Sequence, residues 1–210
     1  MTPCKPEDIL AESFRIIEES VGEHGFDAGQ WPIVRRMIHA SGDLDLLNFI
    51  RFHNDAVPAA LAALARHSPI VTDVTMVLAG INHPSADALG VPVRCFLNDP
   101  GVEQTAKQLN MTRSARGLEQ AITELEDAIY VIGNAPTALL TLCAAVREQR
   151  VRPPLIVAMP VGFVAVAESK EEALRLPVPV ITVLGRKGGS ALAAAAVNAL
   201  LDMAMKGYGP

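Results

Sequence analysis

From Pro69 onward the chain repeats one pattern: a short apolar run, a stretch of helical periodicity, then another apolar run. The runs occupy residues 70–72, 93–97, 129–132, 155–158 and 180–184. Helical stretches follow at 73–79, 102–109, 114–125, 136–147, 170–174 and 190–205. Continuous apolar strands are buried on both faces, and burial on both faces requires helices above and below the sheet. The pattern therefore predicts an α/β fold in three layers, doubly wound around a mainly parallel five-stranded sheet. It leaves the strand order open. Half the residues are hydrophobic and only 4% aromatic, so Ala, Val, Leu and Ile must build this core.

The first third of the chain adds helices that precede the sheet. Pro6-Glu7-Asp8 opens one in which Ile9, Leu10, Phe14, Ile17 and Val21 recur at helical offsets, ending near Gly22. Residues 31–39, 44–52 and 55–67 read as three more, with Pro58 tolerated in the first turn of the last. Residues 82–91 read as the longest loop. With no internal repeat or linker, residues 1–210 are expected to form a single domain.

Several function classes are disfavoured. A net charge of −5 without a basic, aromatic-interleaved stripe argues against nucleic acid. No apolar run reaches the length of a membrane span, and Met1 to Pro6 lacks the apolar core of a signal peptide, so a cytoplasmic protein is expected. Cys4, Cys95 and Cys143 share no metal-ligand spacing; Cys95 and Cys143 read as core residues, and neither a metal site nor a disulfide is expected. The glycine loop 185–190 fits neither a Walker A loop nor Gly-x-Gly-x-x-Gly, which disfavours a nucleotide or flavin module.

In an open parallel sheet, ligands bind beyond the carboxyl ends of the strands. Asp73, Asn98-Asp99, Gly133-Asn134, Met159-Pro160-Val161-Gly162 and Gly185-Arg186 all fall there. Gly185-Arg186-Lys187-Gly188-Gly189-Ser190 opens a long helix, so its amides and the helix N-terminus suit an anion. Arg113 could add a bidentate contact, and Asn134 and Thr137 straddle Pro136 at another helix start. The plain alternative for each is a loop that caps a helix.

One histidine stands apart. In Val34-Arg35-Arg36-Met37-Ile38-His39-Ala40-Ser41-Gly42-Asp43, the apolar residues share a helix face and Ser41-Gly42-Asp43 stops the helix. His39 thus lies in the last turn, where the helix dipole attracts a cation, and is a candidate general acid; the alternative is a helix cap. Arg35, one turn before, could approach His39 or reach a ligand carboxylate. Ser13 could meet a ligand or bond back within its own helix. His24, His53, His67 and His83 read as solvent-facing.

This segment resembles the signature of the precorrin-8X methylmutase (precorrin isomerase) family. So do Thr112-Arg113-Ser114-Ala115, Ile132-Gly133-Asn134-Ala135-Pro136-Thr137-Ala138-Leu139, Met159-Pro160-Val161-Gly162-Phe163-Val164 with Ala167-Glu168-Ser169-Lys170, and Gly185-Arg186-Lys187-Gly188-Gly189-Ser190-Ala191. The blocks come in family order and span about residues 13–201. The resemblance implies a flavodoxin-like arrangement and an isomerase of corrinoid (cobalamin) biosynthesis. Such an enzyme moves a methyl group within ring C of precorrin-8X or cobalt-precorrin-8, giving hydrogenobyrinic or cobyrinic acid. It implies His39 as the acid that protonates the ring-C nitrogen. Ser13, Arg113, Asn134, Thr137, Gly162, Arg186, Gly188, Gly189 and Ser190 become the substrate-binding candidates. No cofactor is implied, and a homodimer is. A non-catalytic tetrapyrrole carrier is the alternative, disfavoured because mere binding does not require an acid at His39. The basic residue that the family often shows near His83 is absent, which leaves the contact of that loop open.

Overall fold

The computed structural model describes residues 6–208, so Cys4 lies outside the described residues. The chain begins with α1 (Pro6–Val21), α2 (Trp31–Ser41), a 3-10 turn (Leu44–Asn48), β1 (Ile50–His53) and α3 (Ala56–Ala65). There follow β2 (Ile70–Thr72), α4 (Thr75–Gly80), α5 (His83–Ala88), β3 (Val93–Cys95), α6 (Val102–Gln108) and α7 (Arg113–Glu124). The last part comprises β4 (Ile129–Ile132), α8 (Pro136–Arg147), β5 (Leu155–Ala158), α9 (Val166–Leu174), β6 (Val180–Val183) and α10 (Ser190–Met205).

The sheet has six strands, not the five expected, in the order β1-β6-β5-β4-β2-β3. Every neighbouring pair is parallel except β1 with β6. The extra strand comes from residues 44–52, which were expected to be helical. Only one 3-10 turn forms there, with the Asp43 carboxylate accepting the Asp45 amide at 2.9 Å. The chain then extends as β1 and pairs Ile50 with Val183 and His53 with Val180. Covering an open sheet edge is a tertiary gain that local periodicity does not register. Residues 82–91 are likewise not a plain loop. Asn82 caps α5 by accepting the Ser85 amide, and Pro84 sits in its first turn.

The period-two alternation of the strands separates two cores. Val71, Tyr130, Ile132, Ile156 and Val180 face α7, α8 and α9. Ile70, Val131, Val157 and Ile181 face the layer of α2, α3 and α10. Helix α2 lies on α10 through Ile33, Val34, Met37 and Ile38, all buried. Helix α1 lies on α2, turning Phe14 and Ile17 inward while Ile9 and Ile16 stay about half exposed, at 53% and 50%. Among the described residues no helix is long and apolar enough to cross a membrane.

Candidate active site

His39 reaches solvent because its neighbours on α2 are used for packing. Met37 and Ile38 are buried against the α10 layer, so the next residue emerges at the rim. Gly42, left-handed at φ +66°, ends the helix by returning its amide to the Ile38 carbonyl at 2.8 Å. The His39 ring meets the edge of Phe14 at 5.6 Å and 82°. Two shallow cavities open beside it. One, about 320 Å³, lies toward α1 and includes Ser13, Ile16, Ile17 and Leu44. The other, about 260 Å³, lies toward α10 and includes Arg36, Gly80, Ala191 and Asn198. His39 therefore shares a cavity with the first two turns of α10, from Ala191 to Asn198.

The loop before α10 is held from three sides. The Gly189 amide donates to the Met159 carbonyl at 2.8 Å, and the Gly162 amide approaches the Arg186 carbonyl at 3.5 Å. A Cβ on Gly188 would lie 2.5 Å from the carbonyl oxygens of Met159 and Pro160, so the two loops touch only because that side chain is absent. From the His39 side, Lys187 Nζ donates to Asp43 at 2.6 Å, which holds the Asp43 carboxyl below the usual carboxylate range. From beneath, Lys170 Nζ donates to the carbonyls of Gly185 at 2.9 Å and Lys187 at 2.5 Å. Lys170 is fully buried, and burial pulls its ammonium down to about 8.

Asp73 occupies the crevice between β2 and β4. Its buried carboxylate accepts the amides of Gly133 (2.9 Å), Asn134 (2.9 Å) and Ala135 (2.7 Å). Burial raises its pKa, and the three amides oppose that rise. Farther along the same edge, Thr112 caps α7 through the Ala115 amide, and its hydroxyl bonds Thr137 at 2.8 Å, joining the starts of α7 and α8. Arg113 and Asn134 are exposed there, and Arg113 forms no ion pair among the described residues.

The expected site residues thus fall into three groups along one sheet edge. His39 and Ser13 share a cavity; Gly162, Arg186, Gly188, Gly189 and Ser190 form the knitted loops; Arg113, Asn134 and Thr137 surround the starts of α7 and α8. Within the chain, Ser13 bonds back to the Ile9 carbonyl at 2.7 Å. Arg35 is engaged by Glu18 and lies 4.2 Å over the Phe14 ring. His24 and His53 are not solvent-facing: His24 stacks on Trp31 at 3.9 Å, and His53 meets the Leu176 carbonyl at 3.2 Å. Lys170 was not among the expected site residues. Its signal was present, since Val166, Ser169, Lys170 and Ala173 recur at helical offsets on the buried face of α9. A larger cavity, about 650 Å³, opens at the opposite, amino edge of the sheet between Ile122, Val146, Arg152 and Pro177, and holds none of these residues.

A family model described as precorrin-8X methylmutase matches residues 8–203. The chain belongs to the precorrin-8X methylmutase family. It is 42% identical over 203 residues to the cobalt-precorrin-8 methylmutase of Priestia megaterium, covering 97% of this chain and 90% of that one. It is also 42% identical over 194 residues to the precorrin-8X methylmutase of Pseudomonas aeruginosa, covering 91% and 93%. The crystal structure of the precorrin-8X methylmutase from Thermus thermophilus superposes with a TM-score of 0.88 at 40% identity, covering 95% of this chain and 98% of that one. Family membership makes the chain an intramolecular transferase, an isomerase of corrinoid biosynthesis.

Proposed function

We propose that this chain moves a methyl group within ring C of a precorrin-8-type macrocycle, metal-free or cobalt-bearing, with His39 as the general acid. The observation that carries this reading is the position of His39. It stands exposed between two apolar-walled cavities, one of them lined by the opening turns of α10, which follow a loop rich in cations and amides. A flat ring fringed by carboxylates needs that combination. The rearrangement conserves atoms: one carbon–methyl bond breaks, its neighbour forms, and the proton lent by His39 returns. Arg113, Asn134, Thr137, Arg186 and the amides of Gly188 and Ser190 are assigned to the carboxylates, Gly189, whose own amide is taken by the Met159 carbonyl, to the turn of that loop, and Ser13 to the wall beside His39.

The order of the parallel strands, β3-β2-β4-β5-β6, is that of flavodoxin-like folds and supports that description. The reading includes a homodimer acting in the cytoplasm. Each cavity at His39 is at or below the bottom of the roughly 300–1,000 Å³ range of ligand pockets. Ile9, Leu10, Ile16 and Leu44 remain exposed around the α1 side of that rim, and a second copy laid there would deepen the site.

The test is single-turnover absorbance spectroscopy with metal-free and cobalt-loaded precorrin-8 in parallel. His39→Ala is expected to lose roughly a hundredfold or more in rate. Binding of the product should stay within about tenfold, as befits the loss of one hydrogen bond. Near-wild-type turnover by His39→Ala removes the residue from the mechanism. Binding of both macrocycles without turnover by the wild type would instead favour a carrier.

A further inference from the structure

A buried ammonium is costly unless it is bonded, and one without a counter-charge is costlier still. Lys170 is in that position. It projects from the buried face of α9, which is otherwise lined by Val166, Ser169 and Ala173. Among the described residues no carboxylate pairs with it; its acceptors are the main-chain carbonyls of Gly185 and Lys187. Those two carbonyls fix the loop's orientation. In a trans peptide the N–H points opposite to the C=O, and no peptide bond here is cis. The amides of Arg186 and Gly188 therefore face away from Lys170. Among the described residues neither amide has a protein acceptor. A positive charge thus lies behind a loop whose donors point outward, with the positive end of α10 beginning two residues later.

We propose that Lys170 is the positioning residue of the carboxylate-binding loop, holding residues 185–188 so that their outward amides receive a substrate carboxylate. The substrate's anion completes the charge balance that the chain leaves open. This rests on the reading that the loop before α10 meets the macrocycle's carboxylates, and it adds the group that shapes it.

The experiment compares wild type, Lys170→Met and Lys170→Arg, each first shown to be folded by thermal unfolding. Lys170→Met is expected to raise KM roughly tenfold or more, as the loss of charge-assisted bonds implies, while kcat stays within about threefold. Lys170→Arg restores the cation and should recover most of that loss, which a purely space-filling role would not produce. A folded Lys170→Met enzyme with wild-type KM overturns the proposal. A mutation-free readout covers variants that do not fold: the Arg186 and Gly188 amide resonances of the wild type should shift when the polycarboxylate product binds, and unmoved resonances also overturn it. The product with its carboxylates amidated separates the two readings. If the wild type binds acid and amide forms equally, the loop reading fails and this proposal with it. If the wild type discriminates and Lys170→Met does so equally well, only the role of Lys170 fails.

Discussion

A buried carboxylate can be satisfied by a metal, by a cation or by amides, and Asp73 takes the third course, binding the backbone that follows β4. Replacing it with Asn turns one acceptor oxygen into a donor and leaves at least one of those amides opposed. Asp73→Asn is therefore expected to destabilise the fold by about 2–4 kcal/mol, read as a lowered denaturant midpoint. Asp43 behaves differently with pH. Lys187 keeps its folded pKa below the ordinary 3.8, so its contribution is present above that value and lost as pH falls through the folded one. The stability difference between wild type and Asp43→Asn should accordingly vanish in acid, and a difference constant down to acid pH would contradict the pairing. Arg113→Ala and Arg186→Ala belong to this scale too. Both should weaken binding of the polycarboxylate product, with the loss shrinking as salt rises; titrations that show no change for either remove those contacts. Among single residues, the placement of His39 in the last turn of α2 was legible because Ser41-Gly42-Asp43 stops the helix just beyond it. The bonds of Lys170 were not, because the carbonyls it meets belong to another loop.

At the scale of elements, the sequence spoke most clearly where burial is symmetrical. The runs at 129–132 and 155–158 are apolar throughout, and both became strands at those positions. Residues 44–52 misled because Leu44, Leu47 and Ile50 can be read at helical offsets, whereas pairing with β6 decided the outcome. Helix α10 lies across the end of β4 for a reason that is visible only in three dimensions. A Cβ on Gly133 would lie 2.5 Å from Val77 and 2.9 Å from the Ser190 backbone. Gly133→Ala is thus expected to cost about 1–3 kcal/mol by pushing α4 and α10 off the sheet end. A chemical-denaturation midpoint equal to wild type would show that α10 yields freely. On the opposite core, the Tyr130 hydroxyl is buried without a partner among the described residues. Tyr130→Phe should leave stability unchanged or raise it by about 1 kcal/mol in the same assay.

At the scale of the whole molecule, the histidine edge carries exposed apolar surface. Exposed Ile9, Leu10, Ile16 and Leu44 lie along the outer helices, and a dimer interface of ordinary size buries about 1,600 Å² in total. Light scattering at micromolar concentration should give twice the chain mass of 22.3 kDa; a fully active species at the single-chain mass would sink the dimer. The layered architecture was readable from the alternation after Pro69, while the sixth strand depends on pairing between distant segments. The crevice held by Asp73 carries a consequence for what the molecule refuses. Sheets of this connectivity commonly seat a nucleotide's phosphates where two neighbouring strands send their chains to opposite faces, using the amides of the following turn. Here that seat is taken by the chain's own side chain, and all three of those donors are already spoken for. A phosphate arriving there would find those three amides already bonded to Asp73. The crevice that in such sheets reads a nucleotide is here closed from within by the chain's own carboxylate.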